Sequence, residues 1–338
     1  MGRRTLPEIA GRRVLRDTGA DTVRGILLVN VCFFLLTVGD VATILALPVA
    51  GVVGAMLGRG AIGGLMVAAL AVRHPGDTGR PAGLRRLWPV RWQLVLFRSI
   101  VHALATLTWY IAWQHGMELA GSYALAYAAP LLMILLAVPM VGERLGLPRV
   151  AATAVGFLGM LVMLRPGGDL WTPLSALVLL GVAGMAVSRI MARVLATTET
   201  PECLAFWLMA LHVPIGLLML GLDFPMPGVS GLALLGLLVL GLSNGVAHWL
   251  HSRASALAPV GALAPYEYTG MIWAVPLGYL TFAQVPSWTT LGGAAVVAAA
   301  GMFNFGREHR RRRAERTAPV ADGPIVVAAP ALAQRSDQ

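Results

Sequence analysis

Tyr123-Ala-Leu-Ala-Tyr127-Ala-Ala-Pro130-Leu-Leu-Met-Ile-Leu-Leu-Ala-Val-Pro139-Met-Val-Gly142-Glu143-Arg144-Leu-Gly-Leu-Pro148-Arg149 is the stretch that decides the fold class. It carries no charge from Leu125 to Val141 and then breaks into Gly142-Glu143-Arg144 and a short basic loop. An uncharged run of this kind is long enough to cross the ~30 Å hydrocarbon core of a bilayer. Pro130 and Pro139 would be costly in an isolated helix, but a membrane bundle tolerates them because neighbouring helices satisfy the freed carbonyls. An echo follows at Ala262-Leu-Ala-Pro265-Tyr266-Glu267-Tyr268, in another apolar run that ends at Phe282-Ala-Gln284-Val-Pro286. The chain therefore reads as two related halves, each built around one of these helices.

Composition agrees with a membrane protein. Of the 338 residues, 57% are hydrophobic and only 12% charged, and the mean hydropathy is +0.73; soluble domains carry about 25% charged residues. The net charge of +10 raises the question of nucleic acid. All 26 basic residues are Arg, however, and they gather in the tails and in alternate short loops with no basic groove, so no nucleic-acid partner is expected. Cys32 and Cys203 sit in or beside apolar runs and read as two small buried hydrophobes rather than a disulfide or metal motif. No Walker loop, HExxH or nucleophile elbow is present. Neither cofactor, metal nor catalytic residues are expected, and the chain does not read as an enzyme.

Outward from the quoted run, the hydropathy pattern predicts ten spans, at about 25–46, 51–72, 92–114, 121–141, 150–165, 173–195, 203–222, 230–250, 257–281 and 288–306. The expected organisation is a basic cytoplasmic segment 1–24, a five-helix repeat 25–165, a second five-helix repeat 173–306 and a basic, then disordered, cytoplasmic tail 307–338. With both termini in the cytoplasm, the inner connections hold Arg73, Arg80, Arg85, Arg86 and Arg91, then Arg144 and Arg149, Arg189 and Arg193, and Arg253; the outer ones hold only Arg165. No apolar core precedes Ile26, so the N-terminal segment is not read as a cleaved signal. Five spans per half make the second half enter the membrane in the opposite sense. Such inverted repeats place a binding site near the midplane, where the halves meet. The fold class expected is an all-α integral membrane protein of ten transmembrane helices in two inverted five-helix repeats.

An ordered set of motifs resembles the drug/metabolite transporter superfamily, specifically the EamA-type permeases. The first half contributes Ala124-Leu-Ala-Tyr-Ala-Ala-Pro130, Gly142-Glu143-Arg144, Gly156-Phe-Leu-Gly159 and Leu164-Arg-Pro-Gly167. The second contributes Ala258-Pro259, Pro265-Tyr-Glu-Tyr268, Trp273, Gly278, Val285-Pro286 and Gly292-Gly293, so the resemblance spans nearly all of 25–306. Gly39-Asp40 and Arg59 look like the subgroup of S-adenosylmethionine and riboflavin permeases. The chain departs from the family at Gln284, where a Glu is usual.

The site candidates are ionisable or aromatic residues inside spans, where charge is expensive and functional by default. Asp40 shares a helix face with Asn30, Phe33 and Thr37. Arg59 lies at a matching depth in the second span, and the two read as a structural ion pair, as cavity lining, or as both. Glu267, flanked by Tyr266 and Tyr268 after Pro265, is the second buried carboxylate and a candidate proton carrier; the alternative is an acid bonded to a neighbouring helix. Tyr127 and Pro130 share a side of the fourth helix, with Tyr123 one turn away, where plain aromatic packing is equally good. Gly270, Ala274 and Gly278 recur every four residues and invite a close helix neighbour. On the third span Arg98 reads as snorkelling to the inner interface and Trp109 and Trp113 as an outer aromatic belt, with His102 left over. His212 and His248 read as isolated structural residues.

The expectation is a secondary transporter, moving a small organic metabolite across a bacterial-type inner membrane by alternating access, possible proton coupling included, as a monomer or dimer in the lipid bilayer. The alternatives are an exporter of drug-like or lipid-linked substrates and an intramembrane transferase, the latter disfavoured because the loops are too short to build a catalytic site.

Overall fold

Helix α1 (Gly19–Arg73) sets the scale of the molecule. Its 55 residues would run about 80 Å at 1.5 Å per residue, far more than one crossing needs. Gly51 divides it with φ 63° and ψ 179°, a backbone geometry essentially confined to glycine, three residues after Pro48. Each arm is of crossing length, and together they correspond to the first two expected spans. The helix begins at Gly19, inside the segment expected to precede the first span.

The computed structural model describes residues 19–76, 81–126, 128–141, 155, 158, 172–222, 227–258, 263, 266, 269–285, 287–289, 291–293, 295–296, 299 and 303. After α1 come a 3-10 turn (Gly83–Leu87), α2 (Trp92–Gln114), α3 (Leu119–Ala126), α4 (Ala128–Val141), α5 (Pro173–Leu195), α6 (Pro201–Ala210), α7 (His212–Leu220), α8 (Gly231–Leu257) and α9 (Thr269–Phe282). Among the described residues, five stretches are long and apolar enough to cross a membrane: Asp21–Arg73, Trp92–Gln114, Pro173–Leu195, Pro201–Leu220 and Gly231–Leu257. The protein is a multi-pass, helical membrane protein. Most of the fifth expected span, about half of the tenth, and Glu143 and Arg144 lie outside the described residues.

The helix ends follow local chemistry. Thr172, Thr200 and Ser230 cap α5, α6 and α8, each accepting a hydrogen bond from the backbone N–H three residues on, and Pro173 and Pro201 occupy the first helical positions of α5 and α6. Helix α2 stops at Gly116, φ 88°, where the Met117 N–H reaches back to the Ala112 carbonyl at 3.0 Å.

Small residues set the packing. Helix α8 lies against both arms of α1. A Cβ on Gly245 would come within 2.8 Å of the Gly63 carbonyl oxygen, so only glycine permits that approach. Helix α5 seats against α2 in the same way: a Cβ on Gly181 would fall 2.9 Å from the Ala105 carbonyl oxygen. Helix α3 packs against α9, where Gly270 makes room for the Tyr123 ring. Cys32 and Cys203 are fully buried, and neither is in a disulfide among the described residues.

Two sets of connections gather at opposite ends. At one end, Arg86 pairs with Glu202 at 3.0 Å, both side chains almost wholly buried. Glu199 accepts from the backbone N–H groups of Val90 and Arg91 at 2.9 and 2.8 Å, and the Thr200 hydroxyl donates to the Arg86 carbonyl. At the other end, Gly228 donates to the Val49 carbonyl at 2.9 Å, and the Leu119 N–H donates to Gln284 Oε1 at 3.2 Å.

Candidate functional site

Asp40 and Arg59 face one cleft. It encloses about 750 Å³, counted out to its open mouth, and is lined by Asp40, Arg59, His102, His248, Arg189 and a set of aromatic and aliphatic side chains from α1, α2, α3, α4, α5 and α8.

The arms of α1 bring the two charges to the cleft, but each is held by a different partner. The Tyr123 hydroxyl donates to Asp40 Oδ2 at 2.7 Å and lies 3.0 Å from the Thr37 hydroxyl, which donates to the Phe33 carbonyl at 2.8 Å. Arg59 donates from NH1 to the Tyr110 hydroxyl at 3.1 Å and from NH2 to His248 Nε2 at 2.9 Å. A guanidinium has no acceptor, so His248 Nε2 must offer its lone pair and any ring proton resides on Nδ1. The expected ion pair between Asp40 and Arg59 is therefore not what holds them: among the described residues, no ion pair joins the two. They line the same space, each fixed through neutral groups. The physical reason is depth. A tyrosine or histidine partner satisfies a buried charge through a hydrogen bond without a second charge having to be desolvated.

The walls are aromatic. Trp109 meets Trp113 edge-to-face at 5.5 Å and Tyr123 at 6.1 Å, and Tyr110 stacks on Trp113 at 5.9 Å. Trp109 and Trp113 are buried, and Trp113 Nε1 donates to Ser122 Oγ at 2.8 Å. They are cleft walls rather than an outer aromatic belt. Arg98 does not snorkel either: it is 2% exposed and donates to the carbonyls of Ser188 and Leu204, both at 3.0 Å. The two carbonyls give a long donor side chain a better set of partners inside the bundle than the interface would. The Arg189 guanidinium lies 5.5 Å from the Phe33 ring centroid, a cation–π contact at the edge of the same space.

His102 is placed edge-on to His248 at 4.9 Å and to His212 at 6.0 Å, so the two histidines read as isolated in sequence join His102 in one buried cluster beside Arg59. Sequence spacing cannot show this, because the three lie on α2, α7 and α8. Tyr110, Tyr123 and His248, which hold the two charges, were missed as partners for the same reason.

The remaining candidates fall elsewhere. Tyr266 occupies a 3-10 position and packs beside the cleft against Val29, Phe33, Ala254, Ala258 and Leu263, while its carbonyl accepts from Thr269 at 2.6 Å. Pro130 lies within α4. Tyr127, Glu267 and Tyr268 lie outside the described residues. Of the helix face proposed for the first span, Phe33 and Asp40 line the cleft, Thr37 reaches Tyr123, and Asn30 donates to the Ile26 carbonyl at 2.9 Å.

No protein-family model matches the chain. Individual proteins do. A riboflavin transporter of Rhizobium johnstonii is 32% identical over 233 residues, covering 69% of this chain and 75% of that protein. A riboflavin transporter of Vibrio cholerae is 27% identical over 65% of this chain and 74% of its own length. An S-adenosylmethionine uptake transporter of Rickettsia conorii is 26% identical over 61% and 71%. Among solved structures, one crystal structure superposes with a TM-score of 0.59 at 20% identity, covering 86% of this chain and 98% of the other, a likeness of fold.

Proposed function

This chain belongs to the drug/metabolite transporter superfamily, among its EamA-type permeases for small metabolites, and on that premise we propose that it is a secondary transporter carrying a small organic metabolite of the riboflavin or S-adenosylmethionine kind through the Asp40–Arg59 cleft. The observation that carries this reading is the cleft itself: an aromatic-walled space within the bundle that holds Asp40 and Arg59 on separate neutral partners. Buried charges kept from neutralising each other suit a ligand that enters and leaves, because neither has to break an ion pair to meet it.

The finer architecture proposed is ten spans in two inverted five-helix repeats, with both termini cytoplasmic in an inner membrane. Helix pairing supports it. Counting the arms of α1 as spans one and two, α2 is span three, α3 with α4 span four, α5 span six, α6 with α7 span seven, α8 span eight and α9 span nine. The third span packs on the sixth and the eighth on the first, a pattern that exchange of the halves leaves unchanged. The fourth packs on the ninth and the second on the seventh, pairs that map onto themselves. Rocking of one half against the other would then open the cleft to each side in turn. Coupling to protons is part of the proposal, with Asp40 in the cleft and Glu267, by its place in the sequence, as the carboxylates to carry it.

Uptake of labelled riboflavin, S-adenosylmethionine and a wider metabolite panel into vesicles bearing the protein, with and without an imposed pH gradient, tests the reading. Saturable accumulation of a panel member above empty vesicles is expected. No flux of any member in either direction would overturn it.

A further inference from the structure

The connection between α1 and α2 is bonded firmly to the second half of the chain, yet it presents apolar side chains outward. Arg86 turns in to Glu202 at 3.0 Å, the Leu87 carbonyl accepts from Trp207 Nε1 at 2.9 Å, and Glu199 accepts from the Val90 and Arg91 N–H groups. These bonds fix the inner side of the 3-10 turn and of the segment after it. Leu84, Trp88, Val90 and Trp92 are left exposed, Trp88 by 76%. Large apolar side chains held outward within so short a segment mark a surface that something covers. Two membrane-crossing stretches meet here, one ending at Arg73 and the next beginning at Trp92, so the connection lies where the chain leaves the bilayer. Tryptophan at that level sits among lipid headgroups.

The charge beside these side chains is positive. The Gly83 N–H donates to the His74 carbonyl at 3.3 Å, which brings the end of α1, with Arg73, back to the turn that carries Arg85. Both arginines are exposed, and neither guanidinium has a partner among the described residues. The acids of the facing connection are engaged inside: Glu202 with Arg86 and Trp249, Glu199 with the two backbone N–H groups. From 73 to 92 the sequence holds five arginines against one acid, Asp77, which with Arg80 lies outside the described residues. Guanidinium groups donate to phosphate oxygens, and clustered arginines at a membrane surface favour lipids of net negative charge. We propose that the α1–α2 connection is a binding site for an anionic phospholipid, with Arg73 and Arg85 on the headgroup and Trp88 against the glycerol and the first carbons of its chains. The site is separate from the Asp40–Arg59 cleft and does not depend on which compound the cleft carries.

Quenching of tryptophan emission tests it, with the full chain in phosphatidylcholine vesicles that carry an equal minor share of brominated phosphatidylglycerol or brominated phosphatidylcholine. The Trp88 contribution is the difference between the wild type and Trp88→Phe. That contribution should report binding of phosphatidylglycerol at least about fivefold more strongly than of phosphatidylcholine, the effect of one or two arginines near an anionic headgroup. Arg73→Gln with Arg85→Gln should abolish the preference, whereas Arg312→Gln with Arg313→Gln in the tail, which removes the same charge, should leave it. If the Arg73 and Arg85 double variant fails to fold, the wild type in about 1 M salt decides, because screening to about 3 Å should shrink the preference. Equal quenching by the two lipids, or a preference that survives loss of Arg73 and Arg85 or the added salt, overturns the inference. Trp88 emission indifferent to both brominated lipids also overturns it, and points to a second copy of the chain as the cover.

Discussion

At the residue scale, the arrangement of Asp40 and Arg59 changes what their substitution should do. Direct partners would be strongly coupled, and removing both would cost less than the sum. Asp40 is instead bonded to Tyr123, and Arg59 to Tyr110 and His248. The strong coupling should therefore lie between Asp40 and Tyr123. Asp40→Asn and Tyr123→Phe should each lower transport roughly tenfold or more, as expected for loss of a hydrogen bond to a charged group worth about 1.5–3 kcal/mol. The double variant should be little worse than either single one. In the parallel cycle, Asp40→Asn with Arg59→Gln should come close to additivity, and a coupling there that exceeds the Asp40–Tyr123 coupling, read from initial rates, would refute this geometry. Asp40 and Arg59 themselves were legible in the sequence, because an ionisable residue in an apolar span is rare and needs a reason. Their partners were not, because Tyr110, Tyr123 and His248 come from helices whose relative rotation no single span records. Trp109 and Trp113 misled for a related reason: tryptophan near a span end fits both an interfacial belt and a buried wall, and only packing separates them.

The elements show how far pattern alone reaches. Gly270, Ala274 and Gly278, spaced by four, correctly announced a close neighbour on α9, and that neighbour is α3 with its Tyr123 ring against Gly270. The chain's departure from its family at Gln284 also finds a place. Its side-chain oxygen accepts from the Leu119 N–H at the start of α3, joining the end of α9 to a helix of the first half. An amide oxygen serves that role as a carboxylate oxygen would. Gln284→Glu should therefore be tolerated, while Gln284→Ala should lower stability by about 1 kcal/mol, the usual cost of a lost N-terminal helix acceptor, measured by thermal unfolding in detergent. A melting temperature unchanged in Gln284→Ala would remove this link. The Arg86–Glu202 pair is a stronger tie between elements, since Glu202 also accepts from Trp249 Nε1 at 2.9 Å. Glu202→Ala takes its carboxylate partner from a buried guanidinium and should cost about 3–5 kcal/mol, whereas Arg86→Met with Glu202→Leu should recover much of that loss. Equal destabilisation by the single and the double replacement would show that the pair is not a unit. Hydropathy placed Arg86 in a connection between helices, but it gave no sign that the connection folds back to bury that side chain.

At the scale of the whole molecule, the contacts between connections bear on the topology expected from arginine placement. The loop bearing Arg85, Arg86 and Arg91 is bonded to Glu199, Thr200 and Glu202, so these two connections share a face. Reporter fusions at 80, 146, 198 and the C-terminus should therefore report the cytoplasm, and fusions at 118 and 226 the outside; one compartment for both 80 and 118 would contradict the ten-span topology. Proton coupling is part of the proposed function. Glu267→Gln should abolish gradient-driven accumulation while exchange persists in part, and an unchanged pH profile would return Glu267 to a structural role. The central claim is that the Asp40–Arg59 cleft is reached from both sides of the membrane in turn and that substrate occupies it. Thr106 lines that cleft and is almost completely buried, so Thr106→Cys in a chain with Cys32 and Cys203 replaced by Ser places one reporter thiol inside it. The most direct measurement is labelling of that thiol by a membrane-impermeant reagent applied from either face, with and without the transported compound. The account predicts labelling from both faces, slowed in each case by that compound. Labelling from one face only, or at a rate indifferent to substrate, would contradict it.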